Sequence, residues 1–190
     1  MFKRLNKYLF QKRAQKYLSS SLRERRFVSY AKAKTVLLLF ESDFSEKNLS
    51  IRRMINQLQQ DGKKVSAWGF VNKKEVASSI LPDFRILHHK QTDIFQKPLI
   101  SFINELDNME FDLLIDLSLK PLIALEYLAM YANASCKAGA KKTELPILDF
   151  VIDLENIKTP ENSESNEILI DETYLFEQII FYLKRIQTND

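Results

Sequence analysis

From residue 35 onward, short unbroken apolar runs alternate with longer stretches whose apolar residues recur at helical spacing. The run TVLLLFE at 35–41 is β-branched and apolar throughout, the pattern of a strand covered on both faces. The segment 45–62 predicts an amphipathic helix. Leu49, Ile51, Met54, Ile55 and Leu58 form its apolar set, Ser45 stands in the N-cap place and Gly62 is its stop. Strands follow at 64–70 and 84–89, separated by a short helix over about 72–80 that ends before Pro82. A helix over 97–108 with Pro98 near its start leads to FDLLIDLS at 111–118, the fourth strand. PLIALEYLAMYAN at 121–133 is a strongly apolar helix, SCKAGAKK at 135–142 and PILDFVIDL at 146–154 are strands five and six, and 172–186 closes as a helix. The polar stretch 155–167 predicts a flexible loop.

Strand and helix alternate at intervals suited to βαβ units. The expected fold is α/β: a mainly parallel, Rossmann-like three-layer sandwich of about six strands. Ahead of it, residues 1–24 contain no glycine or proline and predict a helix over roughly 2–24. Its apolar residues do not share one face. Phe2, Leu5 and Leu9 lie on one side, and Phe10, Ala14, Tyr17 and Leu18 on a face rotated from it, which argues against a membrane-binding helix.

Charge divides the chain at the same place. Of 28 basic and 25 acidic residues, eleven bases and one acid fall in 1–34, a balance of +10; the remaining 17 bases and 24 acids leave 35–190 at −7. The expected organisation is a basic helical arm, 1–34, joined to an α/β domain, 35–190. No apolar run approaches the roughly 18 residues of a membrane span, and Lys3, Arg4 and Lys7 are followed by no apolar core, so neither a signal peptide nor an anchor is expected. A single cysteine, Cys136, excludes an intramolecular disulfide and fits a reducing, cytoplasmic compartment. With two histidines no zinc-ligand spacing can be assembled, and no metal site is expected.

In a sheet of order 3-2-1-4-5 with a sixth strand beyond, ligands bind at the carboxyl ends where the winding reverses, between strands one and four. The candidates there are Glu41, Ser42 and Asp43 after strand one and Asp116, Ser118 and Lys120 after strand four, with Trp68 as a wall. These carboxylates beside a serine and a lysine can act as acid, base or metal ligands. The favoured reading is capping: Ser118 and Asp116 cap the helix beginning near Pro121, and Ser42, Asp43 and Ser45 cap the helix after strand one. No catalytic residue is assigned.

Three glycines in all leave no Gly-rich phosphate turn, and FESDFSEKN after strand one is acidic, so no nucleotide or other cofactor is expected. His88 and His89, adjacent on a strand, are expected on opposite faces. Cys136 reads as a buried thiol, and Asp149 and Asp153 count only if they face the same crevice.

The basic arm carries the strongest functional signal. Lys3, Arg4, Lys7, Lys12, Arg13, Lys16, Arg23, Arg25 and Arg26, interleaved with Tyr8, Phe10 and Tyr17, can engage nucleic acid or a ribonucleoprotein. An acidic protein, anionic lipid or the chain's own acidic domain are the alternatives, with a solvated helix packed along the fold as the structural one. The expected function is that of a binding or assembly protein rather than an enzyme. The alternative is a small enzyme or ligand-binding protein that uses the crevice.

The succession of basic helix, TVLLLFE, FDLLIDLS, helix and SCKAGAKK resembles, over essentially the whole chain, a family of small bacterial proteins of unknown function, and implies no activity. Residues 111–142 are also similar to the N-terminal Rossmann-like half of heptosyltransferase-type glycosyltransferases. That resemblance implies a half-domain whose glycine matches Gly139 and whose strand-four acid matches Asp116. Nothing after strand one matches the glycine-aspartate turn of those enzymes, and no second domain for a sugar nucleotide is expected, so the resemblance implies a shared fold without the transferase activity.

Overall fold

The structure, a computed structural model, describes residues 2–21, 23–42, 46–71, 84–154 and 170–186. The expected helix over 72–80 and the loop 155–167 lie outside them. Six parallel strands form one sheet of order β3-β2-β1-β4-β5-β6: β1 Thr35–Glu41, β2 Lys64–Val71, β3 Arg85–His88, β4 Glu110–Asp116, β5 Asn133–Ala140 and β6 Phe150–Ile152. The helices are α1 Phe2–Ser20, α2 Glu46–Gln60, α3 Ile100–Asp107, α4 Ile123–Tyr131 and α5 Glu172–Arg185.

Alternation along β1 divides the core. Leu37 and Leu39 pack with Phe10 and Ala14 of α1, Phe102 and Leu106 of α3, and α4. Val36, Leu38 and Phe40 pack on the opposite face with Ile51, Met54 and Leu58 of α2 and with α5. Burial on both faces explains why β1 reads as continuous apolar sequence. The α2 helix stops in a Schellman turn: Gly62, at φ 77°, donates its amide to Gln59 O, and Lys63 donates to Leu58 O.

The first helix packs on the face that α4 shares. Phe10 and Ala14 are buried, Tyr17 and Leu18 pack beside them, and Phe10 meets Tyr127 edge-on at 4.9 Å. Leu5 and Tyr8, on the other side of the helix, stay exposed. Beyond α1 the chain crosses to the second face, where Tyr30 and Ala33 are buried. Arg26 N donates to Ser135 O and Arg23 Nη1 to Ala134 O along the start of β5.

Two elements differ from their sequence pattern. Strand six is confined to three residues, and the chain leaves β3 after His88 into a 3-10 turn, His89–Gln91. That turn breaks the strand alternation, so the two histidine rings do not part to opposite faces; they lie 4.4 Å apart.

Candidate functional site

The end of β4 and the end of β5 are joined by side chains. Asp116 pairs in register with Gly139, so the three residues after Gly139 climb past the same level. Lys142 Nζ forms an ion pair with Asp116 Oδ2, with side-chain exposures of 4 % and 2 %. The same ammonium donates to Ser118 Oγ at 2.6 Å, and Ser118 donates its hydroxyl to Asp116 Oδ1 at 2.5 Å and its amide to that oxygen at 3.0 Å. The Asp116 carboxylate thus accepts three hydrogen bonds, the arrangement a buried charge requires.

This geometry corrects part of the capping expectation. The amide of Ser118 does fall to Asp116, as expected of a short Asx turn. The Ser118 hydroxyl does not cap the next helix. α4 begins at Ile123 with Leu122 in the N-cap position and no side-chain cap bond, and Pro121 precedes the helix. Ser118 lies four residues before the N-cap position, and its oxygen accepts from Lys142 instead.

Beside the cluster lies a cavity of about 240 Å³, bounded by Lys7, Phe10 and Gln11 of α1, by Leu122, Ile123 and Glu126 at the start of α4, and by Lys142 and Thr143. A more polar recess of about 670 Å³ adjoins it, reached by Lys7, Gln15, Lys141 and Asp153. The crevice expected between strands one and four therefore has its room over β4 and β5, under α1. Glu126 borders the cavity while only 6 % exposed. Burial pushes its carboxyl up to about 7; Lys142 draws it down, Asp116 pushes it up and Lys7 draws it down.

The other candidates of the crevice are dispersed. Ser42 is buried, donating its hydroxyl to Asn48 Oδ1 at 3.1 Å and its amide to Phe70 O. Glu41 is the half-buried last residue of β1, and Lys120 is exposed beyond β4. Asp43, and Ser45 with it, lie outside the described residues. Trp68 is not a wall of the crevice: it lies inside β2, buried beneath α3 edge-on to Phe102, with the Arg85 guanidinium over both rings. An inward-facing indole at that register is taken by the core.

The cations of the N-terminal segment divide by use. Arg23 bonds Asp149 Oδ1 at 2.5 Å, Arg25 reaches the same oxygen at 3.8 Å and Pro146 O at 3.1 Å, and both hold the segment against the sheet. Arg13 donates to the Tyr127 hydroxyl at 3.4 Å and lies over Phe95. Lys12 lies over Tyr8 at 5.0 Å. Arg4, Lys7, Lys12, Lys16 and Arg26 are exposed. The side chain of Lys3 lies outside the described residues. Asp149 also accepts the Lys137 amide, so its role is structural.

Two residues of the site, Lys142 and Glu126, escaped the sequence reading, as did Lys137 at the far end of α4. Lys142 stood at the end of strand five without any sign that its partner was 26 positions earlier. Glu126 did leave a signal: it is the one acid in PLIALEYLAMYAN, a helix otherwise without charge. Lys137 is fully buried, its ammonium donating to Ala129 O at 2.7 Å and Met130 O at 3.1 Å, where it closes the C-terminus of α4. Burial lowers its pKa to about 7, with Arg23 lowering it further and Asp149 opposing.

Among the described residues, no group of three or more His, Cys, Asp or Glu side chains is placed to hold a metal ion, and no helix is long and apolar enough to cross a membrane. A family model described as a family of unknown function, DUF6913, matches residues 6–169. No curated protein matches the chain. Among solved structures, the glycosyl transferase family 9 protein from Veillonella parvula DSM 2008 is similar at 12 % identity and a TM-score of 0.46, over 87 % of this chain and 44 % of that one. The chain thus spans less than half the length of that protein.

Proposed function

The chain belongs to DUF6913, a family of unknown function, so its own geometry has to carry the reading, and we propose that it binds a small molecule over the ends of β4 and β5, beneath α1. The observation that carries this is the 240 Å³ cavity itself, set against the buried Asp116–Ser118–Lys142 cluster. Ligand sites on open parallel sheets lie outside the carboxyl ends of the strands, and small-molecule sites are concave, mainly apolar and fitted with a few convergent polar groups. Phe10, Leu122 and Ile123 supply the apolar lining here, and Lys7, Glu126 and Lys142 the polar groups. The cluster itself is a rigid floor. Two of the three hydrogens on Lys142 are engaged by Asp116 and Ser118, which leaves one donor for a ligand.

The test is a chemically unbiased fragment screen on the full chain, read by NMR. Binding fragments shift the amides of Lys7, Ile123 and Thr143, and Ile123→Trp, which fills the cavity, removes those shifts. Fragments that bind elsewhere, or bind as well to the Trp variant, overturn the reading.

A second reading rests on the outer side of α1. With Phe10 and Ala14 turned inward, Arg4, Lys12 and Lys16 remain exposed, and this face suits a polyanion such as nucleic acid.

A further inference from the structure

Glu126 is an unexpected charge in an otherwise uncharged helix. It is only 6 % exposed, and no hydrogen bond from any described residue reaches its carboxyl. Polar groups withdrawn from bulk water are nearly always bonded in native structures, and the Glu126 carboxyl opens on a cavity from which a bond can come. The residue lines the 240 Å³ cavity and a smaller one of about 20 Å³ between α4 and Lys142.

The opposite need arises at the cavity's outer edge. Lysines 7, 141 and 142 border the crevice. Lys142 is neutralised by Asp116, and Lys141 lies 3.4 Å from Glu144. Lys7 makes no contact ion pair among the described residues, and the carboxylate whose field it shares is Glu126, across the cavity. Beside it, the N-terminus of α4 opens on the cavity with Leu122, which has no side-chain cap bond, in the capping position. At α5 the same position holds Asp171, whose carboxylate accepts the Tyr174 amide at 2.8 Å. A helix start without a side-chain cap, beside a lysine that makes no contact ion pair, favours an anion.

On the ligand-binding reading above, we infer that the crevice takes a small anion that also carries a hydrogen-bond donor: the anionic group lies between Lys7 and the start of α4, and the donor, a hydroxyl or an ammonium, reaches Glu126. The cavity's 240 Å³ lies below the roughly 300–1,000 Å³ of sites for drug-sized ligands, so the ligand is compact. A carboxyl pushed up to about 7 stands against the anion with less than a full charge, and still accepts from a donor.

The experiment titrates three probes into the full chain by calorimetry at pH 7 and low salt: ethyl phosphate, glycerol 3-phosphate and phosphoethanolamine. At least one donor-bearing probe binds about tenfold more tightly than ethyl phosphate, within the worth of one hydrogen bond. Glycerol 3-phosphate winning identifies a hydroxyl ligand, and phosphoethanolamine winning an ammonium ligand. Glu126→Leu abolishes the preference. Glu126→Gln, which keeps the shape and an acceptor, retains a preference for the hydroxyl and loses one for the ammonium, and serves if the Leu variant does not fold. Lys7→Gln weakens all three probes. Equal binding of the three, a preference that survives both substitutions at 126, or no binding of any probe overturns the inference. If fragments still map to the crevice in that last case, the ligand-binding reading stands without it.

Discussion

Lys142, two residues beyond β5, and Asp116, the last residue of β4, form an ion pair that is almost wholly withdrawn from water. The pair ties the ends of two adjacent strands together and places Ser118 between them. Removing one member strands the other, at a cost of about 3–5 kcal/mol, whereas replacing both with apolar groups is often neutral. Lys142→Met is therefore expected to lower unfolding free energy by about that amount in urea titration, and Asp116→Leu/Lys142→Met to recover most of it. Equal destabilisation of the single and double variants would falsify the pairing as the source.

Gly139 faces Asp116 across the β4–β5 ladder, and a Cβ at that position would lie 2.9 Å from the Asp116 carbonyl oxygen and 3.0 Å from Leu148 Cδ1. The first contact is with backbone, which cannot swing away. Gly139→Ala is expected to destabilise the fold by about 1–3 kcal/mol through overpacking, measured by thermal and urea unfolding.

The two ends of α4 carry groups whose protons report folding in opposite directions. Glu126 is raised from 4.5 to about 7, so between those values the folded chain holds more protons than the unfolded one, and its contribution to stability falls as pH rises. Lys137 is lowered from 10.5 to about 7, so above 7 the unfolded chain holds more, and stability rises with pH. Cys136, raised from 9.0 to about 11 by burial, opposes that rise above pH 9. Unfolding free energies are compared at each pH between the parent and two variants. The parent should lose stability relative to Glu126→Gln from pH 4.5 to 7, and gain relative to Lys137→Met from pH 7 to 9. A flat difference curve for either variant removes that residue's assignment.

The first helix is part of the core, and deleting it is expected to do more than remove charge. Phe10 is buried against Tyr127 and Ala14 is fully enclosed. Phe10→Ala should cost about 3–5 kcal/mol. Loss of residues 1–20 should expose the α4 surface, including Tyr127 and Met130, with a lower unfolding midpoint and binding of a hydrophobic dye as the readouts. A truncated chain as stable as the parent would refute this.

The outer face of α1 is tested without disturbing the core by reversing Arg4, Lys12 and Lys16 to Glu. If these side chains meet a single-stranded nucleic acid, the slope of log affinity against log salt should fall by about 2, near 0.7 for each phosphate no longer neutralised. The unfolding midpoint should stay unchanged, since the three residues are exposed. An unchanged slope, or no salt-dependent binding by the parent, closes the polyanion reading.

The alternation of strands and helices was legible in the sequence because it is a local property. Leu37 and Leu39 against Val36, Leu38 and Phe40 record a strand covered on both faces, and Gly62 marks a helix stop, whatever lies across the fold. The carboxyl end of β4 was also legible as the place to look, since Asp116 and Ser118 stand where a parallel sheet holds its ligands. Which groups meet there depends on long-range packing. Lys142 reaches Asp116 because β5 lies in register beside β4, Lys7 reaches the cavity because α1 packs on α4, and the histidine rings meet because the chain turns after His88. None of these partners is within reach of a periodicity, because strand order and helix docking bring together residues from distant parts of the chain. Local pattern was enough to set the elements and the end of the sheet that matters; packing made the basic helix a wall of the crevice, and gave the serine expected to cap a helix to a lysine instead.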